Sequence, residues 1–116
     1  MRHQKNKITL DRKTAGRRAL LANLAESLVL FEKINTTKAK AKAVRSFVER
    51  LITKAKHGAL SDRRNIQTAL YTKNATNKLM TKLGTRYKDR HGGYTRITMV
   101  KNRVGDGAEE ALVELV

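Results

Sequence analysis

Basic side chains run through almost every part of this sequence, and that feature constrains the fold more than any other. Lysine and arginine number 26 against 10 aspartates and glutamates, a net charge of +16 over 116 residues. Residues 1–18 hold seven bases and one acid, residues 33–64 ten and two, residues 65–103 nine and one. Only residues 19–32 and 104–116 are net acidic. A basic arm on a neutral domain would gather its charge in one place. Here the body itself is charged, so compaction brings like charges together, and self-repulsion opposes it until a polyanion neutralises them. A nucleic acid is the usual partner of such a chain. The fold must therefore hide an aliphatic core, since aromatic residues make up only 4%, behind elements that each keep a cationic face.

The apolar spacing supplies those elements. Residues 1–13 show no apolar period and read as an extended basic segment, ordered by its partner. A first helix is predicted from near Thr14, with Leu21, Leu24, Leu28 and Phe31 as one stripe. Arg17 and Arg18 at its start oppose the helix dipole, a conflict that an external anion would relieve. "KINTT" (33–37) reads as a strand, and Thr36 or Thr37 can cap a second helix. That helix has the clearest stripe: Val44, Phe47, Val48, Leu51, Ile52 and Ala55, stopped by Gly58. A third helix is expected from Ser61 or Asp62, with Ile66, Ala69 and Leu70 inward. A fourth is expected with Asn74 as cap, Leu79, Met80, Leu83 and Tyr87 inward, and Gly84 as a breaker. Residues 94–101 alternate as a strand, "GDG" (105–107) marks a turn, and residues 109–116 supply the returning strand. The expected class is α+β: about four helices packed with a small, three-stranded, mainly antiparallel sheet, in one domain over 14–116 behind a basic extension over 1–13.

Several function classes find no support in these residues. Cysteine is absent, which removes thiolate metal sites and disulfides. His3, His57 and His91 form no i, i+4 pair, and no phosphate loop, dinucleotide fingerprint or nucleophile elbow is found. No enzyme, cofactor, metal or small-molecule substrate is expected. The most apolar window, residues 19–31, is shorter than the roughly 20 residues of a membrane span, and a secretory leader pattern is missing. A cytoplasmic protein without membrane attachment is expected.

What remains is anion binding. The tail residues Arg2, His3, Lys5, Lys7, Arg12 and Lys13 read as an interaction arm. Lys38, Lys40 and Lys42 in "TTKAKAKA" lack acids at helical spacing to pair with them. In "RHGGYTRI" (90–97), Gly92 and Gly93 suit a tight turn into a strand, flanked by Arg90 and Arg96, whose forks match phosphate. His91 reads as a solvated or phosphate-facing side chain rather than a base. Tyr94 is open between stacking on a base and closing the core. Lys101 and Arg103 extend the basic character of the strand.

Taken in order, "RRALLANLAESL" (17–28), "INTTKAKAKAVR" (34–45), "ERLITKAK" (49–56), "RYKDRHGGYTRI" (86–97) and "RVGDGAEEALVEL" (103–115) resemble the bacterial ribosomal large-subunit protein seventeen family along nearly the whole chain. The resemblance implies a structural constituent of the large ribosomal subunit near the peptide exit tunnel, bound to ribosomal RNA and beside other large-subunit proteins. It implies RNA contacts from Arg2, His3 and Lys5 onward, from Arg17 and Arg18, and from the lysines of residues 36–43. The chain departs from the family pattern at Gly16, Ala22 and Val104 and near Lys7; no contact is carried over to Gly16, Ala22 or Val104. From the residues alone, a DNA-binding architectural or helix-turn-helix protein is the alternative, with residues 56–70 as turn and recognition helix.

Overall fold

The computed structural model describes residues 9, 10 and 12–116. Arg2, His3, Lys5 and Lys7, and with them most of the expected extension, lie outside the described residues. The chain runs α1 (Thr14–Phe31), β1 (Lys33–Thr37), α2 (Lys38–His57), α3 (Leu60–Ala69) and α4 (Lys73–Lys78). A π-helical stretch (Leu79–Leu83) and a closing turn (Gly84–Arg86) continue α4 without a break, and β2 (Thr95–Asn102) and β3 (Glu109–Leu115) follow. The class is α+β, as the spacing predicts.

α2 is the hub, packing against α1, α3, the π stretch and all three strands. All but Ala43 of its buried residues (Ala41, Val44, Val48, Leu51, Ile52 and Ala55) follow the helical period, and each large aliphatic among them contributes roughly 1.5–3 kcal/mol by leaving water. Gly58 closes the helix in the left-handed conformation at φ 75°, where glycine carries no Cβ penalty.

α1 meets the core on a different face from the one its leucines suggest. Ala22, Ala25, Leu28 and Val29 are buried, while Leu21 and Leu24 only flank the core. Phe31 is 72% exposed. Leu28 is shared by both faces, so the buried stripe is turned about the helix axis from the leucine stripe and takes in Ala22 and Ala25. Phe31 is the last helical residue, immediately before the chain reverses at Glu32 (φ 65°).

The sheet order is β1-β3-β2, all antiparallel. Period-two alternation puts Ile34, Val113 and Ile97 in one cross-strand row on the core side, and Lys33, Glu114 and Arg96 in a row on the other. A register shift between Met99 and Asn102 bends the far end of β2.

Two expectations for the fourth helix are corrected. Thr72, not Asn74, caps it: the Thr72 side chain accepts from the Ala75 amide. Gly84 does not break it. Gly84 is buried in helical conformation and donates to the Leu79 carbonyl across the wide turn. That wider turn offsets the drift of a four-residue spacing in a 3.6-residue helix, so Leu79, Leu83 and Tyr87 all stay in the core.

Candidate nucleic-acid interface

Seven of the nine acids among the described residues, all but Asp89 and Glu110, are engaged by partners within the protein. Glu26 on α1 accepts the backbone amides of Tyr71 and Thr72 at 2.6 and 2.9 Å, which fixes the entry to α4. Glu32 pairs with Arg86 and with Lys78 (3.2 Å), and its backbone carbonyl accepts from the Leu115 amide at 2.9 Å. The hydrogen bond from Arg86 holds its carboxyl below the ordinary value, against a smaller opposing effect of burial. Glu49 accepts from the Thr95 hydroxyl at 2.7 Å, and Asp62 takes His57 at 2.6 Å and the Ala59 amide at 3.3 Å. Asp106 is gripped by both ends of the Arg103 fork and pulled down to about 2, Arg103 being the main cause. Glu109 meets Lys38 at 3.4 Å and Glu114 meets Arg96 at 3.3 Å.

This divides the expected contact residues. Lys38, Arg96 and Arg103 are tied to the chain's own acids. Among the described residues, no acid pairs with Lys13, Arg17, Arg18, Lys40, Lys42, Arg90 or Lys101. Arg12 donates to the Leu10 carbonyl at 3.0 Å and is exposed. Arg90 and His91 are exposed beside Gly92 and Gly93, whose φ values of 90° and 62° make the turn that the sequence predicts.

Tyr94, open between two roles in the sequence, belongs to the core. It is 2% exposed, its ring lies 5.1 Å from that of Tyr87, and its hydroxyl accepts from the Lys56 ammonium at 2.9 Å and donates to the Arg90 carbonyl at 3.2 Å. Lys56 also donates to the Arg90 carbonyl, so one ammonium holds the basic loop to the end of α2. That ammonium lowers the Tyr94 hydroxyl from its ordinary value.

Both long helices begin without a side-chain cap among the described residues. Lys13 and Thr37 occupy the capping positions of α1 and α2 with no side-chain bond, and neither first turn contains an acid. Free N–H groups, the positive dipole end and nearby cations then coincide at each start, which suits an anion.

A cleft between α1, α2 and α3 extends this surface. Arg17, Arg18 and Lys54 line it, with Phe47 at the base and Tyr71 at the rim. Lys54 also borders the neighbouring hollow on the outer face of α2, beside Arg50 and Thr53. Arg17, Arg18, Lys54 and Arg50 thus form one continuous basic track over two helices. Lys54, Arg50 and Tyr71 are absent from the residues singled out in the sequence. The lysine and arginine were visible as off-stripe positions of α2, but a lone tyrosine between two helices gives no periodic signal. α3, the segment that a helix-turn-helix would use for recognition, is ten residues long, and its Arg63 is bonded to Asn77 at 2.9 Å. Among the described residues no cluster of potential metal ligands occurs, and no helix is long and apolar enough to cross a membrane.

Comparison with known proteins places this geometry in context. The family model for Ribosomal protein L17 matches residues 20–116. The chain is 51% identical over 116 residues to the large ribosomal subunit protein bL17 of Solibacter usitatus, covering all of this chain and 77% of that one. It is 47% identical over 116 residues to the protein of that name from Wolinella succinogenes, with both chains covered in full. The protein of that name from a Hydrogenobaculum species is 50% identical over 117 residues, covering all of this chain and 99% of that one.

Proposed function

This chain belongs to the ribosomal protein L17 family, and on that premise we propose that it is a structural, non-enzymatic constituent of the large ribosomal subunit that clamps segments of ribosomal RNA through their phosphates. In this reading residues 14–116 act as one compact body and residues 1–13 as a basic extension. The protein sits near the peptide exit tunnel of the cytoplasmic ribosome, beside other large-subunit proteins. Arg17, Arg18, Lys40, Lys42, Arg50 and Lys54 carry the body's phosphate contacts, helped by the open starts of α1 and α2. Arg90, His91 and Lys101 offer further contacts from the sheet side, and Arg2, His3, Lys5, Lys7, Arg12 and Lys13 from the extension.

One observation carries the proposal: seven of the nine acids in the described residues are engaged in caps and internal ties, while Arg17, Arg18, Lys40, Lys42, Arg50 and Lys54 of α1 and α2 have no acid partner among the described residues. Such a surface gains affinity by releasing counterions from the polyanion. RNA shape and the 2′-hydroxyls then supply selectivity, with no helix reading a groove.

The test is binding to large-subunit ribosomal RNA fragments over a salt series. Affinity is expected to fall linearly on a log–log plot. Arg18→Gln and Lys54→Gln should each lower the slope by about 0.7–0.9, whereas Arg103→Gln, tied to Asp106, should change it little. Exclusion of the protein from large subunits in a low-salt sedimentation of lysate overturns the proposal, as does a preference for duplex DNA over folded ribosomal RNA.

A further inference from the structure

We infer that the cleft between α1, α2 and α3 is a seat for a single unpaired nucleotide, with its phosphate on Arg17, Arg18 and Lys54 and its base against Tyr71. The inference rests on the RNA-binding reading above and goes further by naming what the cleft takes.

The lining is wrong for phosphate alone. Leu21 and Phe47, half-buried against the hydrophobic core, form the inner wall of a cleft of about 420 Å³, a volume within the range of small-ligand pockets. A surface that only neutralises phosphate has no use for an apolar wall between its cations. A nucleotide presents one charged group, two apolar faces and a polar edge, and the cleft matches all three. The cations come from α1 and α2, the apolar wall lies between them, and Asn65 of α3 offers an amide to the edge of a base.

Tyr71 is the second observation. Tyr87 and Tyr94 are each 2% exposed and pack on one another, while Tyr71 is 64% exposed at the cleft rim. Its backbone is fixed by the 2.6 Å bond from its amide to Glu26, so the ring stands on a rigid support instead of on a loose loop. An aromatic ring held beside cations is a stacking platform for a base. A paired base has both faces covered and its edge engaged, so the cleft selects a nucleotide from a bulge, loop or end.

The experiment compares two RNA hairpins at matched salt, one with a fully paired stem and one with a single bulged adenosine, binding to the full chain. The bulged hairpin should bind roughly tenfold tighter and quench tyrosine emission, which no tryptophan obscures. Tyr71→Ala should reduce its affinity to that of the paired hairpin and leave the paired affinity unchanged, with circular dichroism confirming the fold. Tyr71→Phe, which keeps a ring to stack, should retain the preference. Salt-dependent binding of both hairpins with equal affinity overturns the nucleotide seat and leaves phosphate binding standing, and so does a preference that survives Tyr71→Ala. Binding to neither hairpin overturns the seat and the RNA-binding reading together.

Discussion

Gly84 lies so close to Ala55 that a Cβ on it would come within 2.9 Å of the Ala55 carbonyl oxygen. The fourth helix crosses the end of α2 backbone to backbone at this point. Alanine normally favours a helix by about 1 kcal/mol over glycine. Here Gly84→Ala is expected to lower stability by about 1–3 kcal/mol, because the obstacle is backbone and cannot swing aside. Urea unfolding followed by circular dichroism reads the sign directly; a stabilised variant would refute the close packing.

Tyr94→Phe should cost about 1 kcal/mol through loss of the Lys56 and Arg90 hydrogen bonds. RNA affinity should not change, since the ring is enclosed in the core. Thermal melts and an RNA titration on the same sample separate the two effects. A large loss of affinity at unchanged stability would return Tyr94 to the RNA surface.

Glu32 sets a pH dependence. Its folded carboxyl is held below its ordinary value of 4.5, chiefly by Arg86. A group with a depressed folded pKa contributes stability above its unfolded pKa and loses that contribution as pH falls through the folded one. Glu32→Gln should therefore cost about 1 kcal/mol at neutral pH, a value discounted for the partial exposure of the ion pairs. The difference from the parent should shrink steadily below the ordinary carboxyl value. Melting temperatures of both proteins across an acid series provide the measurement.

Lys13→Ser should stabilise the free protein and weaken its grip on RNA. Serine at the open start of α1 supplies the missing cap, worth about 1 kcal/mol, and removes one cation from the expected arm. A rise in melting temperature with a shallower salt slope is the expected pair of results. Unchanged RNA binding would take Lys13 out of the interface.

The element map was legible because its signals are local. The start at Thr14, the stripe of α2, the stop at Gly58 and the turn at residues 105–107 each need only a few neighbouring residues. The candidate site was legible only as charge. Which cations stay free depends on partners far along the chain, such as Lys38 with Glu109. The fate of Tyr94 depends on Lys56, 38 positions away. The function of Gly84 as a crossing point, and not a breaker, likewise depends on Ala55, which no spacing rule connects to it. The cleft is assembled from three helices, so no single segment announces it. The rotation of α1 that buries Ala22 and Ala25 and leaves Phe31 exposed is set by the elements packed around it and not by its own leucine spacing.

The central place of β3 bears on how the protein is made. Among the described residues β1 and β2 share no hydrogen bonds and each pairs with β3 alone, and β1 waits for partners 73 to 81 residues downstream. A nascent chain that has reached the second strand but not residues 109–115 carries β1 and β2 both unpaired and open to foreign strands, and its core lacks Ala111 and Val113. Closure of so long a loop is slow. The interval between emergence of β2 and capture by β3 is therefore when a newly synthesised copy is most exposed to aggregation or to a protease, and lengthening the hairpin turn would widen that window.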